Sequence, residues 1–164
     1  ENVFVKKNGD WCDNEYVPAF IRRYPFIFVQ QEVGRFSLAI DRSNPCISKK
    51  GKEPLFTDTG ELSPFADNIV KFMTSYEDSY KRTTEFGNWL FEKGLLEEAT
   101  ATLNPESEKD SFSLRGFMRI VEDKINELED ADKAFLMRTG LFKGITCQLI
   151  SMSNFSKLLN IRDS

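Results

Sequence analysis

Apolar and polar positions alternate along this chain with two periods, and the changes of period mark its elements. Asn2-Val3-Phe4-Val5 alternates briefly ahead of Asn8-Gly9, a dipeptide suited to a type I′ turn, so a small hairpin returning through Trp11 and Cys12 is predicted. Pro18 suits the first turn of a helix, Ala19 to Arg23 supply about a turn and a half, and Pro25 ends it. Phe26 to Glu32 and Arg35 to Asp41 then read as two strands joined around Val33-Gly34. Both faces of the first strand are apolar at its start, which predicts a strand covered on both sides. Arg42 to Gly60, rich in Ser, Pro, Lys and Gly, reads as an irregular loop.

From Ser63 the period lengthens. Serine as N-cap, Pro64 at the first helical position and Asp67 in the first turn agree with one another. Phe65, Ile69, Phe72, Met73, Tyr76 and Tyr80 follow at three- and four-residue steps, and the face continues to Leu90 before Gly94 stops it. Glu98 to Leu103 and Ser111 to Leu114 predict a second hairpin around residues 104–110, with Arg115 to Val121 as a further strand. Glu122 to Leu128 reads as a short helix. Asp130 or Asp132 caps a longer one through Met152, and Asn154 caps a last short one. The predicted fold class is α+β: two or three short antiparallel hairpins packed with a long central helix and a C-terminal helical segment, as one domain over 1–164.

At 164 residues a single core is feasible, since a chain of this size buries roughly 70% of its unfolded surface. Fifteen phenylalanines predict a core dominated by rings. The formal net charge of −4, with only short, separated basic runs, argues against nucleic acid or an anionic membrane as partner. Histidine is absent, which removes Ser-His-Asp and Cys-His catalysis and imidazole metal sites. Cys12, Cys46 and Cys147 form no CxxC pair and read as free thiols of a reducing compartment, with a Cys12–Cys46 disulfide the less favoured alternative, so a cytoplasmic location is expected. No run approaches the roughly 20 apolar residues of a membrane span. The chain begins at Glu1 rather than methionine, so residues upstream are expected to have been removed, and targeting information with them.

Three groups invite a chemical reading. Arg22 and Arg23 could anchor a carboxylate or phosphate, with Tyr24 and Asp41 alongside. On a helix they point roughly 100° apart, so one would reach a ligand while the other pairs with Asp41 or Glu53. The plainer reading makes both solvated or salt-bridged caps. Asp41, Asp58 and Glu61 suggest an acidic cluster, yet the EF-hand spacing is missing and a turn held by the Asp58 side chain serves equally well. The aromatic set on the long helix (Phe72, Tyr76, Tyr80, Phe86, Trp89) is conceivable as a platform, but helical spacing favours core. No catalytic residue, metal ligand or cofactor is assigned.

YVPAFIRRYPF at 16–26, LAID at 38–41 and PLFTDTGELSP at 54–64 together resemble the SapC family of bacterial proteins, named for a surface-layer-associated locus. Leu114-Arg115-Gly116-Phe117 and Leu149 to Asn154 are similar to its later blocks. Members are typically longer at the N-terminus. The family offers no established catalytic residues to carry over. Some members are labelled peptide transporter permeases, a label this chain contradicts because it holds no span. The resemblance implies a non-enzymatic accessory protein of surface-layer export or cell-surface assembly, with a protein partner in envelope assembly. The alternative is a small anionic-ligand binder or enzyme anchored at Arg22 or Arg23.

Overall fold

The computed structural model describes residues 2–32, 35–49, 51–103 and 111–162. The architecture is α+β, with two antiparallel strand pairs, a long central helix and C-terminal helices. The chain divides into two compact units, residues 13–83 and residues 1–12 with 84–164.

In the unit formed by 13–83, α1 (Ala19–Arg22) leads through a cis Tyr24–Pro25 bond into β1 (Phe26–Glu32) and β2 (Arg35–Ile40). The strands pair from Phe26↔Ile40 to Gln30↔Phe36, with a shift between Gln30 and Glu32. The turn expected at Val33-Gly34 lies outside the described residues. Contrary to the two-sided cover predicted, only one face of β1 is screened: Phe26 and Phe28 are half-buried, while Ile27 and Val29 on the other face are exposed. The reason is topological. One helix, α2 (Pro64–Glu92), faces this two-stranded sheet across a groove of about 410 Å³ lined by Phe28, Phe36, Leu38, Val70 and Thr74. Nothing among the described residues of the unit stacks on the opposite side.

Ser63 starts α2 as expected, its Oγ accepting from the Ala66 N–H at 3.1 Å. The same hydroxyl donates to the Pro54 carbonyl at 2.5 Å, tying the preceding loop to the helix. That loop closes on itself through a Phe56↔Leu62 bridge and a Thr57 N–H to Glu61 carbonyl bond of 2.8 Å. Thr57, rather than Asp58, holds the turn: its Oγ1 accepts from the Glu61 N–H and sits 2.8 Å from Thr59 Oγ1. Gly60 adopts φ 84°, which makes the reversal possible.

In the other unit, the N-terminal segment forms a single bridge, Val5↔Trp11, instead of two strands. The Gly9 N–H bonds the Lys6 carbonyl, so Lys7-Asn8 are the central turn residues and Gly9 follows in the left-handed region at φ 90°. Asn8 uses its side chain locally, accepting from the Asp10 N–H, and this turn-forming contact displaces the type I′ arrangement. Phe4 and Trp11 stack at 5.5 Å.

β3 (Leu96–Leu103) and β4 (Phe112–Ile120) pair in antiparallel register from Leu96↔Ile120 to Leu103↔Phe112. Arg115 to Val121 is therefore no further strand but the continuation of β4. Gly116, at φ 82°, absorbs the register shift between Ala99 and Ala101, so the strand survives its bulge. The loop predicted at 104–110 lies outside the described residues. α3 (Glu122–Asn126), α4 (Asp130–Thr139) and α5 (Leu141–Met152) follow. The single helix predicted through Met152 is broken at Gly140, whose φ of 72° ends α4. Glu129, not Asp130 or Asp132, is the N-cap residue, and Asp132 pairs instead with Lys93 at 2.6 Å. The break lets Leu136 and Ile145 enter one core with Leu90, Leu95 and Ile120. Asn154 lies inside a 3₁₀ turn, Ser153–Ser156, that runs into α6 (Lys157–Arg162), and so caps nothing.

Candidate functional site

The first sequence block, YVPAFIRRYPF, builds a stacked ladder. Tyr16 and Phe20 stand four residues apart at the start of the unit, and Phe72 and Tyr76 stand four apart on α2. The two arginines fill the gaps. Arg22 lies 5.5 Å from the centre of the Tyr16 ring and 5.4 Å from that of Phe72. Arg23 lies 4.5 Å from Phe20 and 5.3 Å from Tyr76, and Tyr76 stacks in turn on Tyr80. A guanidinium is planar and weakly hydrated, so it rests on aromatic faces at small desolvation cost. The divergence of consecutive arginines is accommodated because each meets a different turn of α2.

Neither arginine pairs with a carboxylate among the described residues. Arg22 Nη2 donates to the Tyr16 hydroxyl at 3.2 Å. Of the two partners expected for one of the arginines, Asp41 and Glu53, Asp41 is engaged elsewhere. Its Oδ2 accepts from the Tyr24 hydroxyl at 2.8 Å, and its Oδ1 accepts from Ser43 N–H at 2.9 Å and Ser43 Oγ–H at 2.7 Å. The Ser43 hydroxyl, then Tyr24, hold the Asp41 carboxyl below the usual carboxylate range. The carboxylate in turn raises the Tyr24 phenol, because ionised tyrosine could not donate that bond.

The structure thus brings Tyr24 and Asp41 together and joins Arg22 and Arg23 through the α2 ladder. It also joins two sequence blocks: the second tyrosine of YVPAFIRRYPF meets the aspartate of LAID. The ladder partners Phe72 and Tyr76 belong to the aromatic set that helical spacing assigns to the core; they are half-buried and stack on the arginines instead. The four-residue spacing they share with Tyr16 and Phe20 is the signal that pairs the two segments.

The outer members of the ladder stay open to solvent, with Tyr16 70% and Phe20 62% exposed. Among the described residues of this unit only Ala66 and Met73 are buried apolar side chains, whereas Ile21, Ile27, Val29, Phe56 and Leu62 are exposed. Three grooves of about 380–440 Å³ are lined by residues other than Arg22, Arg23, Tyr24 and Asp41. No group of three or more Cys, Asp or Glu placed to hold a metal ion occurs among the described residues. No described helix is long and apolar enough to cross a membrane.

These features define an α+β protein whose most distinctive sequence block, residues 16–26, is spent on a partly exposed stack of rings and guanidinium groups. The SapC family model matches residues 1–158, and the chain belongs to the SapC family. Comparison with curated proteins and with solved structures gives no match.

Proposed function

We propose that this protein works by protein–protein contact, as a non-enzymatic accessory protein of surface-layer export or cell-surface assembly. The observation that carries the reading is the ladder of Tyr16, Arg22, Phe72, Phe20, Arg23 and Tyr76, with its outer rings in solvent. Tyrosine and arginine are the residue types that concentrate binding energy at interfaces, and stacked guanidinium groups are already ordered before a partner arrives. Membership of the family supports the envelope setting.

The test is affinity capture from the envelope fraction of the native host, with the wild type and a Phe20→Ala/Tyr80→Ala double variant side by side. Both substituted rings are exposed, so the fold should persist, which circular dichroism checks. A surface-layer or envelope protein retained by the wild type and lost by the double variant is the expected result. An identical protein profile for both would remove this face from the function.

A further inference from the structure

We propose that the groove between the β1–β2 pair and α2 binds a small apolar amine, an alkyl- or arylammonium ion, with Glu77 as its counter-charge. The site lies wholly in the unit formed by residues 13–83. The groove holds about 410 Å³, the size of a small-molecule pocket, and Phe28, Phe36, Leu38 and Val70 give it apolar walls. Its α2 members, Val70, Thr74, Glu77, Asp78 and Lys81, follow at steps of four, three, one and three, which keeps them on one side of the helix. Phe72, Tyr76 and Tyr80 fall on the other side, so the groove is separate from the aromatic ladder.

Charge selects the ligand through a pairing that α2 does not make. Three acid–base pairs four residues apart run along that helix in the favourable order, Asp67 with Lys71, Glu77 with Lys81 and Asp78 with Arg82. The first closes at 2.6 Å. The other two form no ion pair among the described residues. Lys81 instead places its ammonium 5.2 Å from the centre of the Phe36 ring. One wall of the groove thus already carries a cation, while the half-buried Glu77 carboxylate is left without a counter-ion. The second ring, Phe28, stands 6.0 Å from Phe36 and carries no cation among the described residues. Asp78 is exposed and also borders a neighbouring groove with Lys71 and Arg82, so Glu77 is the acid placed to hold the ligand. With two carboxylates and one ammonium among its lining side chains, the groove is net negative. A carboxylate beside apolar walls gains most from a cation whose remaining surface is apolar, because one end offsets the charge and the other covers Phe28, Leu38 and Val70. An apolar acid could use only Lys81 and would be repelled by Glu77 and Asp78.

The probes are three six-carbon chains that differ only in the head group, n-hexylammonium, n-hexanol and n-hexanoate. Each is titrated into the isotope-labelled protein at about pH 7 and followed by backbone amide shifts in NMR. Saturable shifts at Phe28, Phe36, Leu38 and Glu77 are expected with the ammonium, at millimolar concentration. Its affinity should be about threefold or more above that of the alcohol and about tenfold above that of the carboxylate. Glu77→Gln should abolish the advantage over the alcohol while leaving hexanol binding in place, which shows that the groove itself survives. Lys81→Met keeps an apolar stem and removes the competing cation, so it should strengthen ammonium binding by about twofold or more. Tightest binding of hexanoate overturns the proposal, since Lys81 is then the selecting charge. So does equal affinity for the three probes, or no saturation by any of them up to about 50 mM. Ammonium binding indifferent to Glu77→Gln overturns it as well, because the cation then sits against an acid elsewhere on the surface.

Discussion

Two glycines in helix interiors should respond oppositely to the same substitution. Gly87 lies in α2 and Gly144 in α5, both within the unit containing 84–164. A Cβ added at Gly87 meets nothing within 4 Å. Gly87→Ala should therefore show the bare helix preference, a stabilisation of about 1 kcal/mol. A Cβ added at Gly144 would stand 3.0 Å from Phe86 Cε1 and 3.5 Å from its Cζ. The same gain of about 1 kcal/mol is then set against an overpacking cost of about 1–3 kcal/mol, because Phe86 packs against the core of Leu90, Leu136 and Ile145. A net loss of about 1 kcal/mol is expected, so the two variants should differ by about 2 kcal/mol. Urea unfolding followed by circular dichroism reads this as midpoints displaced in opposite directions with an unchanged slope. A Phe86→Leu background removes the ring edge, and Gly144→Ala should become neutral or stabilising there. If both alanines stabilise in the wild-type background, or if Phe86→Leu brings no relief, the close approach of α5 to Phe86 is not what excludes a side chain at 144.

Three further outcomes follow from local geometry. Ser63→Ala removes both the cap on Ala66 and the donor to Pro54, and should cost about 2 kcal/mol in chemical denaturation, with Ser63→Thr retaining most of it. A loss near zero would mean that water replaces both bonds. The Tyr24–Asp41 contact contributes stability only between two limits: it is lost as pH falls through the depressed pKa of Asp41 and as pH rises through the elevated pKa of Tyr24. In a near-ultraviolet titration Asp41→Asn should bring the Tyr24 phenol back down toward its ordinary value; an unmoved Tyr24 titration would show that the carboxylate is not the cause. Leu136→Ala, at a site with almost no solvent exposure, should destabilise by about 2–5 kcal/mol in equilibrium unfolding. A cost below about 1 kcal/mol would place Leu136 outside a close-packed core.

Much of this fold is legible locally. α2 announces both ends in residues that act within one turn, Ser63 and Pro64 at its start and Gly94 (φ 66°) just past its end. The bounds of β1 and β2 follow from Pro25, the turn signal at 33–34 and the apolar run between them. Gly140 and Gly116 are local signals too, but each reads in two ways. A periodic apolar pattern runs unbroken across Gly140, and an apolar strand pattern runs across Gly116, so only the backbone shows which glycine divides an element and which merely bends one. The faces are a different matter. Whether Ile27 or Phe28 is covered depends on how many elements pack on the sheet, and no property of β1 states that number.

The candidate site divides along the same line. That Arg22 and Arg23 diverge is a consequence of helix geometry that any reader of the chain can work out. That the arginines rest on Phe72 and Tyr76, and that Asp41 accepts from Tyr24, is decided by the tertiary structure alone, whereas the Ser43 bonds to Asp41, two residues apart, are local. Stacking and hydrogen bonding between residues 17 to 53 positions apart rest on chain paths that no local preference encodes.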